Sequence, residues 1–355
     1  MGSSSFSKAG MLALLIVVAA IAGWEIYLRS SGIGITYDDG PPLWSHKRQQ
    51  VYLPADKATV LIGSSRNKFD VDIPTWEALT GESVLQLAEV GSNPLPYLAD
   101  LANDPDFKGK LLIDVSEPLF FTFSPQATSA PRKEIAYYHK RTPAQRASFA
   151  INRVLESNFT FLDKNFLSLN GLLLSHVSLP NRPGVYTMPA ECPIDFGRTT
   201  FDRQNRMSAR FESDSNLQNG VKSIWNFYRT LSPGKPMDGR PLDSLLAIVK
   251  SNVDRIRARG GQVVFVRSPS SGPFLQGEQM GYPRAKYWDR LLTVTGCQGI
   301  HFSDYPAIAN FRCPEFSHLN HHDAVIYTSN LVGILETDKG WSFPHGSPVN
   351  TNPKK

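Results

Sequence analysis

Five short apolar runs, each bounded by polar residues, constrain this 355-residue chain more than any other feature. They are Ala58–Ile62 (ATVLI), Ser83–Leu87 (SVLQL), Lys110–Val115 (KLLIDV), Gln262–Val266 (QVVFV) and Gly299–Phe302 (GIHF). A short apolar run bounded by polar residues, such as Ala58–Ile62, is typical of a buried strand. Stretches of helical character lie around them: Pro74–Leu79, Pro96–Leu101, residues 243–258, Ala285–Val294 and His321–Leu335. Over 243–258, Leu245, Ile248, Val249, Val253 and Ile256 form one stripe at helical spacing, and Gly260-Gly261 ends it. Strand–helix alternation of this kind predicts an α/β fold, a five-stranded parallel sheet flanked by helices. Ligands of such sheets gather outside the carboxyl ends of the strands. The loops after the strands are therefore the places to look for chemistry.

The first residues set the compartment. Met11–Trp24 (MLALLIVVAAIAGW) is apolar and follows Lys8. Extended to Leu28, across Glu25, it approaches the roughly 20 residues that cross a bilayer. It reads as a signal anchor with its basic end in the cytoplasm, as a cleavable signal peptide with Ala20-Ile21-Ala22 at the cleavage site, or as a core helix. Either exported reading puts residues 30–355 outside the cytoplasm, and the anchor is the expectation carried forward. Residues 30–57 read as an irregular tether, 119–242 as an insertion or cap with helical pieces at Pro143–Glu156 and Val221–Thr230, and 339–355 as a tail. The net charge is only +5 with no long Lys/Arg block, so nucleic acid is not an expected partner. Cys192, Cys297 and Cys313 fit no zinc spacing. An exported chain could join one pair, with Cys297 and Cys313 the nearest in sequence, or keep three free thiols.

Three segments could carry chemistry. Gly63-Ser64-Ser65-Arg66 leaves the first strand, where a hydroxyl on a tight turn projects into the crevice; the plain alternative is a Ser-rich capping turn. Gly91-Ser92-Asn93 follows the second strand, and a glycine there lets backbone approach a ligand and donate its N–H to an oxyanion. Glu315-Phe316-Ser317-His318-Leu319-Asn320 precedes the last helix, and an acid three residues before a histidine can hold one ring nitrogen and aim the other at a nucleophile. Arg267, after the fourth strand, and Arg66 could hold an anionic or polyol substrate or serve as structural ion pairs. His318, His321 and His322, with Asp304 and Asp323, are the rival metal set. His318 and His322 share a helical face at i, i+4, but no Glu sits between them in the HExxH manner, so neither metal nor cofactor is expected.

Together these blocks, in this order on a five-strand pattern, resemble the SGNH/GDSL hydrolase superfamily over residues 58–118 and 243–335. More narrowly, they look like the membrane-anchored relatives linked to O-acetylation of bacterial polysaccharides, including alginate acetyltransferase-like and D-alanyl-transfer-like proteins. Ser317-His318-Leu319-Asn320, followed by Ala324 and Tyr327-Thr328, is similar to a signature of several of them. The resemblance implies an SGNH-like, flavodoxin-like three-layer domain spanning 58–118 and 243–338. It implies Ser65 as nucleophile, His318 as base, Glu315 as orienting acid, and the Gly91 and Ser65 N–H groups as oxyanion donors. It also implies a single-pass protein of the inner membrane facing the periplasm, a serine esterase or O-acyltransferase acting on a carbohydrate or polysaccharide, and a membrane-bound acyltransferase as partner. The chain departs from the pattern in three places. Gly-Ser-Ser replaces Gly-Asp-Ser, Glu315 replaces Asp, and Asp114-Val115-Ser116-Glu117-Pro118 stands where a Gly-x-Asn-Asp block is expected, leaving Asn93 as the substitute side-chain donor. These departures keep a second expectation open, a non-catalytic module that binds glycan or docks onto an assembly enzyme.

Overall fold

The computed structural model describes residues 3–54, 57–176, 192–231 and 235–345. The chain forms two compact units, Met1–Asp38 with Pro143–Ala190, and Asp39–Thr142 with Glu191–Lys355.

The second unit holds the sheet. Its strands are β1 (Ala58–Ile62), β2 (Ser83–Gln86), β3 (Lys110–Asp114), β4 (Gln262–Arg267) and β5 (Gln298–His301). All pair in parallel, in the spatial order β2-β1-β3-β4-β5. The fold is α/β, with helices on both faces. Successive side chains of a strand point to opposite faces, and each central strand divides its apolar residues accordingly. Val60, Ile62, Leu111, Ile113, Val263 and Phe265 pack with the helices Leu95–Asn103 and Gly239–Ala258. Leu61, Leu112, Val264 and Val266 pack with Ile73–Thr80 and His321–Thr337.

The expected helix over 243–258 begins earlier, and its buried stripe is Leu242, Leu245, Leu246, Val249, Val253 and Ile256. Ile248 is 45% exposed. It precedes Val249 by about 100° of helical rotation, beyond the edge of the stripe. Two segments expected to be irregular belong to the core. Pro41–Arg48 is a helix, and Trp44 within it is fully buried, stacked on Tyr97 at 5.3 Å with its Nε1 donating to the Leu87 carbonyl at 3.1 Å. Arg48 fixes the same helix by donating to Asp100 at 2.7 Å and Asp104 at 2.8 Å. The expected tail also packs inward. Trp341 and Phe343 are buried, Phe343 meets Trp76 edge-on, and the His345 N–H donates to the Thr80 carbonyl at 3.0 Å. The rest of that expected tail, 346–355, lies outside the described residues.

The expected insertion is shared between the units. Residues 192–231 of the sheet unit build a small satellite core in which Phe196, Met207, Phe211 and Val221 surround Phe69. No two of the three cysteines are joined in a disulfide, so the nearest pair, Cys297 and Cys313, forms no bridge.

In the first unit the helix Ser3–Ser30 is long and apolar enough to cross a membrane, and its side chains from Met11 to Val18 are exposed. Glu25 sits inside it without being stranded. Its carboxylate accepts the backbone N–H groups of Thr160 at 2.9 Å and Phe161 at 3.0 Å, and Arg29 donates to it at 2.6 Å.

Because Trp44 fills a closed site, Trp44→Ala is expected to lower unfolding free energy by about 3–5 kcal/mol. Ile248→Ala, on the exposed face, should stay within about 0.5 kcal/mol of the parent. Denaturant titration of the two variants checks both values, and a Trp44→Ala cost near that of Ile248→Ala would return residues 41–51 to the role of tether.

Candidate active site

The site begins where β1 ends. A Cβ on Gly63 would lie 2.5 Å from Asp114 Cβ, so only glycine lets the turn after β1 pass the end of β3. The next residue is locked in place. Ser64 Oγ lies 2.8 Å from Ser116 Oγ and 3.2 Å from Asp114 Oδ2, and the Ser64 N–H donates to the same carboxylate at 3.3 Å. Burial raises the Asp114 pKa, while Arg66 and the serine donors oppose that rise. With Ser64 held inward, Ser65 opens the helix Ser65–Asp70 and turns its hydroxyl the other way. Its Oγ lies 2.7 Å from His318 Nε2.

His318 is delivered by a strained turn. Phe316 has φ of +82°, an uncommon backbone conformation for a bulky residue. Two contacts hold it there: its carbonyl accepts the Ser271 N–H at 2.8 Å, and its ring lies against Gly272, where a Cβ would meet ring carbons at 3.0 Å. The loop is pinned on the other side by the Leu319 N–H, which donates to Asp70 Oδ1 at 2.9 Å. Strain of this sort persists where the surroundings over-determine it, and it concentrates at functional turns.

Glu315 is fully buried and is the junction of the turn. Its Oε1 accepts the His318 N–H at 2.7 Å, the Ser317 N–H at 3.3 Å and His318 Nδ1 at 2.9 Å. Its Oε2 accepts Trp225 Nε1 at 2.5 Å. Burial by itself would raise the Glu315 pKa, but the His318 ring and these N–H donors hold it below the usual carboxylate value. With Nδ1 donating to Glu315, the Nε2 lone pair faces Ser65. The imidazole is packed among Phe69 (ring centroids 4.5 Å apart), Phe196 (5.7 Å) and Trp225 (6.3 Å), and is only 2% exposed. Ser65 is half-buried and is the more accessible end of the relay.

The other candidate residues fare differently. Gly91 has φ of +64° and no atom within 4 Å of where a Cβ would sit, so its loop is open. Asn93 is spent on backbone. Its Nδ2 donates to the Phe120 carbonyl at 3.2 Å and the Thr122 carbonyl at 2.9 Å, and its Oδ1 accepts the Leu95 N–H at 2.7 Å. It holds the loop after β2 and is not free as an oxyanion donor. Arg66 and Arg267 are engaged in buried ion pairs. Both are buried and donate to Glu278, and Arg267 also donates to Glu117 at 3.0 Å, to Ser270 Oγ at 3.0 Å and to the Ser268 carbonyl at 2.7 Å. Burial pushes Glu278 up, but the two guanidinium groups bring it down to about 2.

Of the residues in the rival metal set, His318 is committed to Ser65 and Glu315, and Asp304 to Arg284. His321 Nδ1 lies 3.5 Å from Asp72, and Asp323 bonds Asn320 at the start of the last helix. Among the described residues no three His, Cys, Asp or Glu side chains converge as a metal site.

Sequence reasoning missed Trp225, Phe69 and Phe196. The expected helix at 221–230 carried no sign that one of its residues reaches Glu315, which is 90 positions away. The Trp225→Phe variant keeps an aromatic ring, though a smaller one, and removes the N–H. Deleting a donor to a charged group is expected to cost about 1.5–3 kcal/mol at neutral pH. The Glu315 pKa is lowered in the folded protein, so its contribution is present above the unfolded carboxylate value and lost as pH falls through the folded one. The cost of Trp225→Phe should therefore shrink on acidification. Denaturant unfolding of both proteins at neutral and acid pH checks this, and an unchanging difference would contradict it.

No protein-family model matches the chain, and no curated protein sequence matches it.

Proposed function

We propose that this chain is a membrane-anchored serine acyl-transfer enzyme of SGNH type, acting on an exported carbohydrate or polysaccharide. The observation that carries the reading is the unbroken relay from Ser65 Oγ to His318 Nε2 at 2.7 Å and from His318 Nδ1 to Glu315 at 2.9 Å. Its position after β1, in a sheet of order β2-β1-β3-β4-β5, supports a flavodoxin-like three-layer domain with its site at the strand ends. Glu315 in place of Asp is no obstacle, because its longer side chain reaches Nδ1.

In the proposed reaction His318 Nε2 takes the Ser65 proton as Oγ attacks the acyl carbonyl carbon. The resulting oxyanion is held by the Ser65 and Gly91 N–H groups. Collapse of this intermediate breaks the bond to the leaving alcohol, which takes the proton from His318 and leaves acyl-Ser65. A sugar hydroxyl or water then gives its proton to His318 and attacks the acyl carbon, and Ser65 recovers its proton on release. Glu315 stays ionised throughout and stabilises the transient imidazolium. The carbohydrate substrate, the periplasmic orientation in the inner membrane and a membrane-bound acyltransferase partner rest on the family resemblance. The Ser3–Ser30 helix, with Lys8 ahead of its apolar run, supports the anchored arrangement.

One observation favours the second reading, a glycan-binding or docking module. Asn93 is occupied, and losing a side-chain oxyanion donor costs roughly 10²–10³ in rate. Labelling with a fluorophosphonate separates the two. The parent protein should label, Ser65→Ala and His318→Ala should not, and Glu315→Gln should label slower by roughly 10²–10⁴. A folded parent that stays unlabelled would sink the catalytic reading in favour of the module.

A further inference from the structure

In the first unit, the helix Pro143–Glu156 has no buried residue. Helical spacing gathers Ala147, Ile151, Val154 and Leu155 on one side and Arg146, Asn152 and Arg153 on the other. Ile151 is 63% exposed and Val154 56%, whereas Phe149 and Glu156 on the polar side are partly covered. Arg146, Asn152 and Arg153 are exposed too, so the only partial cover, at Phe149 and Glu156, lies away from the apolar face, which is left bare.

Its position within the unit identifies what covers that face. The turn that follows it is tied to the last turns of the Ser3–Ser30 helix. Glu25 accepts the Thr160 and Phe161 N–H groups, and Arg29 donates to the Asn158 carbonyl at 2.7 Å. At this level the apolar run ends and Trp24 stacks on Tyr27, ring centroids 5.5 Å apart, both exposed. Exposed Trp and Tyr at the end of a spanning segment mark the headgroup layer. Phe159, Leu169 and Leu173 of the same unit are exposed as well. An amphipathic helix held at headgroup depth, apolar side out and arginines opposite, matches the pattern of a helix lying in the membrane plane.

We infer that Pro143–Glu156 is a membrane-surface helix, lying in the phospholipid interface beside the end of the Ser3–Ser30 helix with Ala147, Ile151, Val154 and Leu155 among the acyl chains. Arg146 and Arg153 face the phosphates. This inference rests on the N-terminal helix spanning the bilayer and is independent of the catalytic reading.

The test uses the full chain, with its three native cysteines replaced by serine, in nanodiscs of phosphatidylethanolamine and phosphatidylglycerol. Nitroxide labels are placed singly through Val17→Cys, Arg146→Cys, Ile151→Cys, Asn152→Cys and Val154→Cys. Collision rates with oxygen, which concentrates in lipid, are compared with those of a water-soluble nickel chelate. Labels at 151 and 154 should favour oxygen severalfold, and labels at 146 and 152 should favour nickel. Nickel reaching 151 and 154 as readily as 152 overturns the inference, because that face would be in water. Labels at 151 and 154 immobilised and shielded from both reagents overturn it in favour of a protein partner. The label at 17 isolates the premise: if it too meets nickel freely, the anchor itself fails and the surface helix falls with it.

Discussion

A carboxylate with no access to water must be met by donors from every side, and the crevice of this protein is arranged around that requirement at Glu315. Two backbone N–H groups close the turn on it, the imidazole of His318 leans on it, and Trp225 arrives from a distant helix to complete its shell. Removing any one partner leaves a buried charge under-satisfied, which is far costlier than the bond itself is stabilising. The arrangement therefore holds the histidine in one tautomer and one orientation. It also explains the strained Phe316. The chain must reverse sharply between Glu315 and His318 for both side chain and backbone to reach the same oxygen, and the packing against Gly272 holds that reversal in place.

Behind the relay, the strand ends are held by buried charge. Arg66 follows the candidate nucleophile directly and points away from it, into Glu278, which Arg267 also binds. Arg267 in turn grips Glu117, in the segment after β3. Buried pairs of this kind contribute little net stability, yet they are intolerant of losing one member. The loops after β1, β3 and β4 are fixed relative to one another by one shared network. That rigidity suits a site whose donors must be placed before the reaction begins.

The strands were legible in the sequence because a sheet covered on both faces needs short, mainly apolar runs, and these are visible without any knowledge of tertiary structure. Ser65, Glu315 and His318 were legible for a related reason: each stands at a strand end or directly before the last helix, where the fold class itself directs attention. Trp44 was not, since eight residues beginning with two prolines carry too little periodicity to betray a core tryptophan. Trp225 was hidden because its role lies in one long-range hydrogen bond, and no local pattern encodes such a bond. Asn93 was placed in the right region but its side chain is taken by backbone, and of the two tasks open to Arg66 and Arg267 the structure shows the ion pair. Sequence puts a polar side chain near a crevice without saying whether a buried neighbour has already taken it. Ile248 shows the same limit on a helix, where one residue of drift carries an apolar side chain off the stripe.

The account turns on Ser65, and not Ser64, being the activated hydroxyl. The two are adjacent and chemically alike, and hydrogen bonding and burial distinguish them: Ser64 is buried and bound to Asp114 and Ser116, while the half-buried Ser65 faces the histidine. The most direct measurement is to expose the protein to p-nitrophenyl acetate, quench in acid, digest, and locate the acetyl group by tandem mass spectrometry. The account predicts acetyl on Ser65, absent when His318 is replaced by alanine. Acetyl on Ser64, or on Ser65 to the same extent without His318, would contradict it.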